Sequence, residues 1–155
     1  DAARAAAAGA AGVIIPDVTL EVVEDVRGPL HQQGLALPLL ISPTTRSERA
    51  ARIAAASDGF IYIVSRMGVT GAGQGPDLEW CKAQVELLRR VTDKPLAVGF
   101  GISTPEQVAE VAAWSDGVIV GSGLVAAYAG SSGAEAAERA GRYVEGLAGA
   151  WATAG

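Results

Sequence analysis

Short apolar runs alternate with longer segments whose apolar residues recur every three or four positions. The runs are Gly12–Pro16, Leu35–Ile41, Gly59–Val64, Pro95–Phe100 and Gly117–Val120. Each is brief, rich in Val, Ile or Leu, and apolar at successive positions, which predicts parallel strands covered on both faces. Helical patterns lie between them. Thr19 is a candidate cap for a helix toward Gln33, although Gly28-Pro29 interrupts it, and Thr45 or Ser47 is one for Glu48–Ala56. Asp77 is placed to cap a helix running to Val91. Thr104-Pro105-Glu106 opens another, with Pro in the first turn. Leu124–Tyr128 reads as a short helix and Ala134–Trp151 as a long one, with Gly141 and Gly146 as weak points. Asp1–Ala8 also reads as helix, ended by Gly9.

Strand and helix in strict alternation, at a spacing of roughly 25–35 residues, are βα units with right-handed crossovers. A helix feeding the first strand implies an earlier strand that this stretch does not contain. The expected fold is therefore α/β: a partial (β/α)8 TIM barrel of five parallel strands, with the first three βα units missing. Residues 1–155 are expected to form a single domain, an incomplete TIM barrel.

Composition narrows the function classes. Half the residues are apolar and 19% are charged, which excludes disorder as a description. A net charge of −5 and the absence of a Lys/Arg cluster argue against nucleic acid or an acidic membrane as partner. No apolar stretch reaches the ~20 residues of a membrane span, so a cytoplasmic location is expected. The single cysteine, Cys81, falls in a helix and reads as a small core residue; it allows no intrachain disulfide and no cysteine-based metal site.

In barrel enzymes the chemistry sits in loops beyond the carboxyl ends of the strands. Here those loops start at Pro16-Asp17, Ser42-Pro43, Ser65, Gly101-Ile102-Ser103 and Gly121-Ser122-Gly123. Glycine is concentrated after the last three strands, where bare backbone N–H groups can approach an anion. Phosphate sites in this architecture use the loops after strands 7 and 8 with the start of a short helix. If the last two strands here are numbers 7 and 8, the first is number 4, which agrees with the truncated opening. Neither a GxxxxGK[ST] loop nor a GxGxxG helix start is present. The segment Met67–Pro76, with four glycines, has the composition of a closing lid.

Several side chains carry weaker signals. Asp17 is the one acid immediately beyond a strand, and reads as a loop-orienting residue. His31 reads as an exposed helix residue and not as a catalyst, Glu79 and Glu86 as a solvated face, and Arg66 as an ion-pair or anion-supporting group. Trp80, Trp114 and Trp151 read as amphipathic packing.

Gly12-Val-Ile-Ile-Pro-Asp17, Ser42-Pro-Thr44, Tyr62-Ile-Val-Ser-Arg-Met-Gly-Val-Thr-Gly-Ala72, Gly99-Phe-Gly-Ile-Ser103 and Gly121-Ser122, in this order, resemble the tryptophan synthase α chain. That resemblance implies a (β/α)8 lyase of tryptophan biosynthesis, which cleaves indole-3-glycerol phosphate to indole and glyceraldehyde 3-phosphate. It implies a tryptophan synthase β subunit as partner, which carries the pyridoxal phosphate, so that this chain itself needs no cofactor. By position, Gly71, Gly101, Gly121 and Ser122 would bind the substrate phosphate through backbone N–H groups. Tyr62 and Phe100 would line the indole side, Thr70 would sit in the closing loop, and Asp17 would lie near the β-subunit contact. Thr19 stands where the family usually has proline. The family's catalytic Glu and Asp belong to strand 2 and its loop, which nothing here matches, so no catalytic residue is assigned and the chain alone is expected to be inert. The alternatives are a non-catalytic phosphate-binding half-barrel or partner-binding module, and another phosphate-binding barrel enzyme such as an epimerase or thiamin-phosphate synthase.

Overall fold

A computed structural model of the chain describes residues 1–65 and 76–154. Eleven elements follow in order: α1 (Ala2–Ala7), α2 (Val23–His31), β1 (Leu39–Ile41), α3 (Ser47–Ala56), β2 (Ile61–Val64), α4 (Leu78–Leu88), β3 (Leu96–Gly99), α5 (Pro105–Ala112), β4 (Gly117–Ile119), α6 (Ser122–Tyr128) and α7 (Gly133–Ala154). The four strands form one parallel sheet in sequential order β1-β2-β3-β4. Each right-handed crossover to the next strand in the same direction returns on the same side. The helices therefore line one face of the sheet, and the sheet curls as part of a barrel. The helix-covered face is the one buried to completion, through Leu39, Ile41, Ile61, Ile63, Leu96 and Val98. Leu40, Tyr62, Ala97 and Gly117 are mutual register partners on the other face and are half-buried.

Four of the five expected strands join the sheet. The first, Gly12–Pro16, is reduced to one parallel bridge between Gly12 and Ala36. Ala36 donates to Ala11 O and accepts from Val13 N, 3.0 and 2.8 Å. The next residue of that strand to face the same neighbour is Pro38, which has no N–H to give, so the ladder stops. β1 itself begins at Leu39, where pairing with Ile61 of β2 starts.

Caps show where local chemistry governed and where it did not. Asp77 accepts from Trp80 N at 3.0 Å, and Thr104 with Gln107 completes a capping box ahead of Pro105. Thr19 does not cap α2, which starts four residues later behind Val22 with no side-chain cap. Neither Thr45 nor Ser47 caps α3: Arg46 holds that position, Ser47 is already helical, and the Thr45 hydroxyl accepts from Ser42 N instead. Pro29 lies inside α2 without ending it. α4 ends at Leu88, earlier than Val91, and α7 passes unbroken through Gly141 and Gly146. Its length is supported by packing on α5 and α6 rather than by propensity. Trp80, Trp114 and Trp151 are partly buried against the core. His31 is the last residue of α2, and its Nε2 lies 2.8 Å from Asp58 Oδ2. Among the described residues, no helix is long and apolar enough to cross a membrane.

Candidate functional site

The carboxyl ends of β2, β3 and β4 lie side by side, and the loops after β3 and β4 meet. After Gly99 the chain turns through two successive left-handed residues, Phe100 at φ 78° and Gly101 at φ 97°. Glycine adopts this region freely, whereas for phenylalanine it costs about 1–3 kcal/mol and persists only where the surroundings enforce it. Ser65, fully buried at the end of β2, supplies that enforcement: its hydroxyl donates to Phe100 O and its N–H donates to Gly99 O at 2.9 Å. The pair of left-handed residues bends the strand end into a tight turn at the mouth of the sheet.

Gly99 lets Tyr62 approach. A Cβ at Gly99 would stand 2.9 Å from Tyr62 Cε2 and 2.7 Å from Ile119 O, both too close. The Tyr62 ring therefore lies against Gly99, at the carboxyl end of β3. Burial pushes its phenol above the ordinary tyrosine value, so it is a neutral ring with a hydroxyl.

The loop after β4 is shorter. Gly121 is the N-cap of α6 and has no side chain to satisfy the first N–H groups of that helix. Gly121 and Ser122 are both exposed. The helix begins at Ser122, two residues before the expected start at Leu124, so Ser122 belongs to the first turn itself. A Cβ on Gly123 would be 3.0 Å from Ser103 Cβ, so the first turn of α6 rests on the loop that follows β3. The fold thus brings Tyr62, Phe100 and Gly101 together with Gly121 and Ser122 around one mouth.

Asp17 is not part of it. It is exposed, and with Thr19, Ser42, Thr44 and Arg49 it borders a crevice of about 530 Å³ above β1, at the far side of the sheet from β4. Beside this crevice Arg49 grips Glu21 with two bonds of 2.7 and 2.8 Å. That pairing, with Thr19 assisting, lowers the Glu21 pKa to about 2. Gly71, Thr70, Arg66 and most of the Met67–Pro76 segment lie outside the described residues. Cys81 is fully buried, and burial first, then nearby Asp77, raises its thiol pKa to about 12; it is an inert core residue.

Two participants escape a reading of sequence. Ser65 stands in an apolar strand, and its hydrogen-bond partner is 35 residues away. Tyr143 sits among the amphipathic positions of α7 and reaches Ser103 O at 2.6 Å. Neither has a local signal, since each partner is brought near only by the sheet.

The family model described as tryptophan synthase alpha chain matches residues 2–150. The chain belongs to the tryptophan synthase alpha chain family. It is 47% identical over 119 residues to the tryptophan synthase alpha chain of Arabidopsis thaliana, covering 76% of this chain and 43% of the relative. With that of Picosynechococcus sp. it shares 44% over 146 residues, covering 94% and 55%. Among solved structures, Mycobacterium tuberculosis tryptophan synthase superposes with a TM-score of 0.82 at 34% identity, covering 96% of this chain and 55% of the other. The alpha chain of Legionella pneumophila does so at 0.76 and 33%, covering 99% and 56%. The chain spans about half the length of the curated relatives it matches. The shared architecture is a partial (β/α)8 barrel, as expected.

Proposed function

We propose that these residues form the phosphate-gripping and substrate-lining part of a tryptophan synthase α-type lyase, which cleaves indole-3-glycerol phosphate to indole and glyceraldehyde 3-phosphate. The observation that carries this reading is the meeting of the Phe100–Gly101 turn with the uncapped start of α6, beside Tyr62. Backbone N–H groups of Gly101, Gly121 and Ser122 bind the phosphate dianion, since no side chain shields the two glycines, Ser122 is exposed, and α6 directs its positive end outward. Gly71 joins them and Thr70 closes over the site, both on family position alone. Tyr62 and Phe100 flank the indole ring.

The cleavage breaks the carbon–carbon bond between indole and the glycerol chain. The indole carbon gains a proton as a glycerol hydroxyl gives one up and becomes the aldehyde. In the family a Glu and an Asp on strand 2 and its loop perform those transfers, and no residue described here corresponds to them. These residues therefore bind and orient, and catalysis is assigned to that pair. The partner is a tryptophan synthase β subunit, which carries the pyridoxal phosphate and receives the indole; Asp17 lies on the loop facing it. The cytoplasm is the setting that goes with this activity.

Gly121→Asp tests the site. The space around Gly121 is open, and aspartate is a favoured N-cap, so the fold is retained while a carboxylate occupies the anion position. Inorganic phosphate or glycerol 3-phosphate titrated calorimetrically should bind the unaltered chain and lose at least ~10-fold in affinity for the variant. Turnover of indole-3-glycerol phosphate by residues 1–155 alone should fall short of an intact family enzyme by ~10²–10⁴ or more. Equal binding in both proteins, or full-rate indole release by these residues alone, overturns the reading.

A further inference from the structure

The two loops assigned to the phosphate belong to different βα units, and sheet pairing does not set their spacing at the mouth: the β3–β4 register ends at Gly99 and Ile119. Beyond that pair, one side chain reaches both loops. Tyr143, on α7, donates its hydroxyl to Ser103 O at 2.6 Å. The same ring lies against the first turn of α6, where a Cβ on Gly123 would collide with the hydroxyl and stand 3.2 Å from Cζ. Ser103 is held from its other side as well, its N–H donating to Gln107 Oε1 at 2.9 Å. The loop after β3 is thus clamped between the start of α5 and Tyr143, and α6 is seated on the clamp. Burial raises the Tyr143 phenol above its ordinary value, so it remains a proton donor at neutral pH.

We propose that Tyr143 is a positioning residue for the phosphate site, holding the Gly101–Ser103 loop and the first turn of α6 at one separation, with Gly123 kept small so that the hydroxyl can reach between them. This rests on the phosphate reading above. The tie acts at a distance from the ligand: Tyr143 touches the two loops, and the loops present the amides. Its effect falls on how well those amides are spaced before the anion arrives, which is preorganisation.

Inorganic phosphate titrated into the full chain separates the tie from the reading beneath it. Tyr143→Phe keeps the ring and removes the hydrogen bond alone; phosphate affinity should fall about fivefold with the far-UV circular dichroism unchanged. Gly123→Ala is the second variant, pushing the hydroxyl off Ser103 from the other side, with a similar fall expected. The two losses should be less than additive, because the Tyr143→Phe background has already lost the bond to Ser103 O, although the added methyl still meets Ser103 Cβ at 3.0 Å and the ring carbon Cζ at 3.2 Å. Unaltered phosphate affinity in Tyr143→Phe, while Gly121→Asp still loses its ~10-fold or more, refutes the tie and leaves the phosphate site standing. Fully additive losses refute it too, showing two independent packing defects. Absence of phosphate binding in the unsubstituted chain removes the site itself, and the tie with it.

Discussion

Asp58 and Asp116 occupy equivalent places in two βα units, within Ser57-Asp58-Gly59 and Ser115-Asp116-Gly117. Each backbone N–H donates to the carbonyl of a residue on the preceding strand segment, Leu37 at 3.1 Å and Leu96 at 3.0 Å. Each carboxylate then accepts the N–H of that same residue, at 3.0 and 2.7 Å. Nitrogen groups complete the arrangement: the Arg27 guanidinium and the His31 ring stand beside Asp58, and the Arg89 guanidinium beside Asp116. Partial burial pushes both carboxyls up, but the hydrogen bonds from His31 and Leu37 on Asp58, and from Arg89 and Leu96 on Asp116, outweigh it and leave both below the usual carboxylate value. A carboxyl whose folded-state pKa is depressed stabilises the fold above the unfolded value and loses that contribution as pH falls through the folded one. Urea midpoints should therefore be level near neutrality and drop below about pH 4. Asp58→Asn should lower stability by about 1 kcal/mol at pH 7 and flatten the acid limb; an acid limb unchanged in both Asp58→Asn and Asp116→Asn would show that other groups control it.

At the scale of elements, α3 shows how a helix end is completed from outside. Its last carbonyls have no intrahelical partners. Lys94, arriving just before β3, donates from Nζ to Ala54 O, Ala55 O and Ser57 O at 2.9, 2.9 and 2.6 Å. A positive charge at the negative end of the helix adds to the hydrogen bonds. This contact links two successive βα units at the amino end of the sheet, opposite the mouth. Lys94→Met should therefore cost about 2 kcal/mol in chemical denaturation while phosphate binding is retained. A loss under ~0.5 kcal/mol would mean that solvent serves those carbonyls equally well. The two caps legible in sequence, Asp77 and the Thr104 capping box, are local bonds spanning three residues. Thr19, Thr45 and Ser47 had the same residue types but different neighbours. The Thr45 hydroxyl turned to the Ser42 turn, and α2 began only where Val23 reached the core.

For the molecule as a whole, the sheet has two outer strands. Among the described residues β4 pairs only with β3, and it carries a groove of about 380 Å³ along Val118, Val120, Val144, Leu147 and Trp151. On the free side of β1 the described residues show the single Gly12–Ala36 bridge. Unpaired parallel edges beside apolar surface favour association. Residues 1–155 by themselves are accordingly expected to self-associate, with a weight-average mass in sedimentation that rises with concentration. A concentration-independent monomer would show that these edges are protected.

The alternation of apolar runs and amphipathic segments was enough, without coordinates, to establish parallel βα units and the order of the loops beyond them, because strand burial and helix periodicity are written in neighbouring residues. The glycine-rich turns after β3 and β4 were legible for the same reason: the glycines that leave backbone N–H groups bare are neighbours in the chain, and Gly101 takes a left-handed conformation that glycine adopts freely. What the tertiary structure alone decided was which chemical groups meet. Ser65 finding Phe100, Tyr143 finding Ser103, and Lys94 finding the end of α3 all join partners separated by 35 to 40 residues. Nothing in the local pattern encodes those meetings, since the distance between such groups is set by strand register and helix packing. The sheet also decided that Gly12–Pro16 contributes one bridge and no ladder, through the missing N–H of Pro38 on a neighbouring segment of chain.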